Sequence, residues 1–153
     1  MEFEGLGPKT VNSPAFGSVA TNGSSTLLAW VAPASGEITG ARIVNNSAGS
    51  TIASGTTTGS SVTISLYKTA SAAASLVASF NGSGTTVASL NTAALVVNTA
   101  TSALQRFVAG DLFLVEYTGG AANNVSNSGC MVSIEYVLGR RTGATPSAGT
   151  GPA

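Results

Sequence analysis

Histidine is absent, cysteine and tryptophan occur once each, and charge is scarce: six basic and six acidic residues among 153. Each scarcity removes a class of chemistry. Without histidine the chain lacks the usual general base at neutral pH and the commonest metal ligand, and no Ser-His-Asp triad can form. The single thiol, Cys130, can close no disulfide within the chain and cannot build a cysteine metal site. It reads as a small buried apolar residue, with an intersubunit or reactive thiol as the alternative. The charges cancel and make up 8% of the residues, so there is no basic field for phosphate backbones or for an anionic bilayer. Neither nucleic acid nor a membrane is therefore expected as a partner. No apolar run approaches the ~18 residues of a spanning helix, and the acidic opening MEFEGLGPKT lacks the apolar centre of a signal peptide.

What the chain has in quantity is Ser, Thr, Ala, Gly and Asn, which suit strands and turns better than helix interiors. Its length fits one domain with room for a core. A surface this poor in charge is unsuited to a free monomer and fits a subunit partly covered in an assembly. The densest apolar stretch is FVAGDLFLVEYT, Phe107 to Thr118. A turn signal at Ala109-Gly110-Asp111 leads into a run of strand length that ends at Gly119-Gly120. Both faces of that run are largely apolar, which predicts a central strand covered on two sides.

Around it the chain reads as about eight short strands, in an antiparallel β-sandwich or jelly roll over 26–139. TLLAWVA stops at Pro33, and GEITGARIVNN follows with Ile38, Ile43 and Val44 as core positions. SVTISLYK alternates, with Val62, Ile64 and Leu66 on one face. SLVASF, TTVASL and ALVV are further short candidates. SALQRF is a helical turn or the approach to the central strand. In CMVSIEYVL, Val132, Ile134, Tyr136 and Leu138 point inward. Residues 1–25 show no period, and Pro8 and Pro14 break any helix, so they read as an extended arm ordered by another surface. Residues 140–153 form a Gly/Pro-rich tail.

Apparent catalytic patterns fail on geometry. Ser65-Leu66-Tyr67-Lys68 spells S-x-x-K, but that chemistry needs a helical turn, and residues three apart in a strand face opposite ways. Lys68 reads instead as a solvent residue at a strand end. Glu37, Asp111, Glu116 and Glu135 stand alone in sequence. Two of them could pair across strands at the roughly 5–10 Å of glycosidases, but the aromatic platforms of a sugar cleft are missing. Asp111, after Gly110, fits a turn-bonding role. No cofactor or metal is expected, and the chain does not read as an enzyme.

The order AWVAPASGEITGARIV, SVTISLYKTASAAASLVASFNGSGTTV, FVAGDLFLVEY, MVSIEYVL resembles the small jelly-roll domains of tailed-bacteriophage virion proteins, over roughly residues 28–139. The matching features are Pro33 and Gly36 before Ile38, the Asn81-Gly82 turn, and the strand opener Phe107, Ala109, Gly110 and Asp111. The Ala/Ser segment that separates SLYK from Asn81-Gly82 departs from the family's spacing. The resemblance implies a structural virion protein without an active site, most like a capsid decoration (head cement) protein. Such a protein would be made in the host cytoplasm and carried on the outer surface of the capsid, bridging major capsid protein subunits as a homotrimer. Phe3, Leu6, Val11 and Phe16 would be the capsid-contact anchors of the arm. The alternative it implies is a receptor- or glycan-binding module of a tail fibre or baseplate, with Trp30, Tyr67 and Tyr117 as the aromatic platform.

Overall fold

Large apolar side chains alternate with small polar ones along most of the extended segments, and that period of two builds two sheets with one shared interior. The computed structural model describes residues 7–16, 19, 22–46, 62–70, 73–81, 87–88, 90–99, 102–120 and 130–139. Its strands in chain order are β1 (Lys9–Asn12), β2 (Ser24–Val31), β3 (Gly36–Asn45), β4 (Thr63–Ala70), β5 (Ala73–Asn81), β6 (Asn91–Ala94), β7 (Val96–Val97), β8 (Arg106–Phe107), β9 (Leu112–Thr118) and β10 (Cys130–Leu138). One 3-10 turn, Ser102–Leu104, precedes β8.

All pairings are antiparallel. One sheet runs β1-β10-β3-β6, with β8 beside the start of β3, and the other runs β2-β9-β4-β5-β7. With the two-residue strands β7 and β8 set aside, the longer strands pair in nested fashion: β4 with β5, β3 with β6, β2 with β9 and β1 with β10. This is one long hairpin wrapped into two sheets, the jelly roll expected from the sequence. The interior holds Ile43, Val62, Ile64, Leu66, Val77, Phe113, Val115, Tyr117, Val132 and Ile134, all fully buried. Leu138 packs against this core from its margin.

Four expectations need correction. First, the sandwich begins at Lys9, not at Thr26, and the N-terminal segment from Lys9 onward is no free arm. β1 pairs with β10 from Lys9↔Tyr136 to Asn12↔Ser133. Beyond it, the Ser13 hydroxyl accepts from the Val132 amide at 2.9 Å, the Phe16 amide donates to the Cys130 carbonyl at 2.8 Å, and Phe16 is only 2% exposed. A four-residue strand carries too little periodicity to stand out between two prolines. Residues 1–6 and 140–153, the rest of the expected arm and the tail, lie outside the described residues. Second, β9 is central within its sheet but covered on one side only: Phe113, Val115 and Tyr117 are buried while Leu112 is exposed and Leu114 half-buried. Third, TTVASL supplies no strand among its described residues, since Val87 makes a lone bridge and Leu90 sits in a turn at φ 57°. Fourth, Val44, expected in the core, is half-buried on an outer face.

Most of the residues that carried the family resemblance meet at one end of the sandwich, while Asn81, opposite Thr63, stands at the other. Gly110, at φ 90°, donates its amide to the Ala32 carbonyl at 2.8 Å. The Ala32 amide returns a bond to the Asp111 carbonyl at 2.9 Å. The Asp111 carboxylate accepts from the Val108 amide at 3.0 Å, the turn role read for it. The Gly139 amide donates to the Ser35 carbonyl at 3.0 Å. Phe107 lies over Gly36, where an added Cβ would sit 2.2 Å from the Val137 carbonyl oxygen and 2.6 Å from the Phe107 ring. Gly82 is outside the described residues. Gly36→Ala should therefore cost about 2–3 kcal/mol, an overpacking penalty against backbone that cannot step aside. Gly7→Ala, with nothing within 4 Å of its Cβ, should be neutral. Urea unfolding of the two variants measures both.

Candidate functional site

The four anchors assigned to the arm do not share one environment. Phe3 and Leu6 lie outside the described residues. Val11 packs against the core from β1, and the Phe16 ring lies against Tyr117 in the interior. Neither Val11 nor Phe16 is available to another molecule in the way the arm reading required, because each is needed to close the protein's own sandwich.

The three aromatics of the glycan reading are dispersed as well. Tyr117 is fully buried, and its hydroxyl donates to the Cys130 sulfur at 3.3 Å. Trp30 is half-buried with ring centroids 5.2 Å from Phe107, 5.3 Å from Phe113 and 4.4 Å from Tyr136. Together these rings plug the end of the core beside the Gly110 turn. Tyr67 stands on the opposite side of its sheet, paired with Leu114 and Leu76. A platform of Trp30, Tyr67 and Tyr117 is thus not assembled. The aromatic plug was not visible in the sequence, because its four members come from β2, β8, β9 and β10.

The polar groups are engaged in holding backbone. β4 places Ser65 opposite Glu116 and Lys68 opposite Phe113, on the two different faces that a strand dictates. Lys68 is half-buried rather than the solvent residue expected: its ammonium donates to the carbonyls of Ala103 at 3.1 Å and Arg106 at 2.5 Å, capping the 3-10 turn. Asn45, fully buried, donates to the carbonyls of Val87 and Ala88. Arg42 pairs with Glu135 on the outer face of the first sheet. Both are partly exposed, so the pair contributes little to stability. A cleft of about 400 Å³ opens where the edge of β3 is left between β6 and β8, and its charged lining residues are these same two. Their mutual neutralisation leaves it without a free charge to hold a ligand. Among the described residues, no three His, Cys, Asp or Glu side chains come together as metal ligands, and no helix is long and apolar enough to cross a membrane.

No family model, curated protein or solved structure matches this chain.

The Tyr117–Cys130 contact, inside the core, shifts the ionisation of both its groups. Burial, reinforced by Cys130 through charge and hydrogen bonding, pushes the Tyr117 hydroxyl far up. Burial also pushes the Cys130 thiol up, against the smaller opposing effects of its bonds to Tyr117 and the Met131 backbone. Both folded groups hold their protons longer than the unfolded chain, whose thiol and phenol release them near ~8.5 and ~10. Their contribution to stability is complete below about pH 8.5 and is lost as pH rises beyond it. Urea unfolding across a pH series should show that decline. Tyr117→Phe should abolish the part above about pH 10 and cost roughly 1 kcal/mol at neutral pH.

Proposed function

We propose that the protein is a structural virion subunit of a tailed bacteriophage, one that decorates the capsid and stabilises it by bridging neighbouring capsid subunits. The observation that carries this reading is the clasp at the end of the jelly roll. The residues through which the chain resembles phage virion domains, Gly36, Phe107, Gly110 and Asp111, serve to lock turns and strands together there. They build a rigid body instead of a reactive centre. The scarcity of charge supports the same reading, since such a surface is suited to being covered.

In this role the protein works by area and number. Apolar surface buried between copies and against the major capsid protein is worth about 25 cal/mol per Å² before the entropy of association is subtracted. A single contact is weak, but symmetric copies on one particle add their contacts through multivalency. The subunit acts as a homo-oligomer, a trimer in the reading the resemblance implies, on the outer surface of the capsid after synthesis in the host cytoplasm. With Val11 and Phe16 committed to the fold, Phe3 and Leu6 remain as anchors toward the capsid.

Cryo-electron microscopy of particles containing the protein tests this directly. Copies on the order of hundreds over the head, the density of a multivalent coat, are expected. Deletion of residues 1–6, which leaves β1 intact, should sharply lower occupancy without unfolding the subunit. A few copies confined to the tail would overturn the assignment in favour of a receptor-binding module.

A further inference from the structure

We infer that the outer face of the β2-β9-β4-β5 sheet is the surface through which copies of this chain contact one another. This deepens the proposed function, and rests on it for the setting in a particle. Strand register sets the face out in rows. One row is Leu28–Leu114–Tyr67–Leu76, and beside it run Val31–Leu112–Thr69. The next rows are polar: Thr26–Glu116–Ser65–Ser79, then Ser24–Thr118–Thr63–Asn81. The apolar half is open to solvent, with Leu28 49%, Val31 46% and Leu112 38% exposed. On the inner side of the same strand, Leu27 and Trp30 pack against the core.

The outer face of the other sheet carries charge where this one carries leucine. Its register brings Arg42 to Ser133 and Glu135 to Thr10 and Gly40, and Arg42 and Glu135 pair on it. The β2-β9-β4-β5 face carries Glu116 as the one charge in its rows, and that charge lies off the apolar half. A partner rich in basic groups therefore finds little to bind, whereas the same face on a second copy meets no net repulsion across the leucines. A two-fold axis passing near the Leu28–Leu114 row gathers these side chains, leaves each Glu116 at the wet rim and pairs copies from neighbouring oligomers, so that it adds to a trimer and does not replace it.

Area argues for a weak, repeated contact over a lone tight one. Four strands at ~4.8 Å spacing and seven residues at ~3.3 Å give a face of roughly 440 Å², about half the ~800 Å² per partner of a standard interface. The contact is accordingly reversible by itself and useful when repeated.

Sedimentation velocity on the purified full chain tests the inference apart from any particle. Concentration-dependent self-association is expected. Leu28→Asp and Leu114→Asp should weaken it by about tenfold or more, as loss of a central anchor does, while Thr92→Asp on the other sheet leaves it unchanged. Because an Asp variant could fail to fold, circular dichroism accompanies each one. Leu28→Cys gives a second readout: under oxidising conditions it should yield covalent dimers, with buried Cys130 as an unreactive background and Thr92→Cys as the negative control. A wild-type chain that stays monomeric at its highest soluble concentration overturns the inference, as does self-association that survives both Asp variants in folded form. So does association that appears only after residues 1–6 are removed, because the face would then be covered by the protein's own N-terminus. Low particle copy number with intact self-association would instead count against the capsid role alone.

Discussion

Closure of the chain's first strand on its last holds the structure together. β10 supplies Val132, Ile134 and Tyr136 to the interior and needs a partner on each side. β3 provides one and β1 the other. The residues after β1 continue the closure, through Ser13 to Val132, Phe16 to Cys130, and the Phe16 ring onto Tyr117. A nested hairpin has its ends far apart in sequence, so this pairing closes the longest loop and is the most costly in chain entropy. The buried Tyr117–Cys130 bond lies beneath the same seam, which ties the ionisation of both groups to its integrity.

The scarcity of charge has two structural consequences. Inside, backbone and a few neutral side chains satisfy the polar groups: Asn45 and Ser13 bond carbonyls or amides and need no counter-ion. Lys68 fulfils the same role from the rim by capping the 3-10 turn. Outside, the few charges are unevenly spread, with the Arg42–Glu135 pair on one sheet and a half-apolar face on the other. A sandwich needs apolar side chains on its inner faces only. The leucines on the outside of β2 and β9 are therefore surplus to the fold, and surplus exposed apolar surface is where association is expected.

Much of the architecture was legible in the residues. The alternation in SVTISLYK and CMVSIEYVL told inner from outer faces correctly, because burial on one side of a strand imposes a period of two whatever the strand order. Gly110 and Asp111 announced a turn, since a positive φ and a carboxylate that bonds a nearby amide are local needs. β9 misled because its outer leucines look like a second buried face; hydrophobicity does not reveal whether what covers a residue belongs to the same chain. β1 was missed because four residues between prolines carry no period, and their burial depends on a partner more than a hundred positions away.

The candidate functional residues divide on the same line. Absence of histidine, cancellation of charge and a lone cysteine are matters of composition, legible before any fold: these residues can form no Ser-His-Asp triad and no disulfide within the chain. That Trp30 plugs the core with Phe107 and Tyr136, that Tyr117 bonds Cys130, and that Phe16 closes the interior depended on which strands became neighbours. So did the alignment of Leu28, Leu114, Tyr67 and Leu76 into a single row, for these residues come from four strands. Local preference selects strands and turns because its causes act within a few residues. The sheet faces, and whatever they touch, follow from long-range register, which no short stretch of sequence contains.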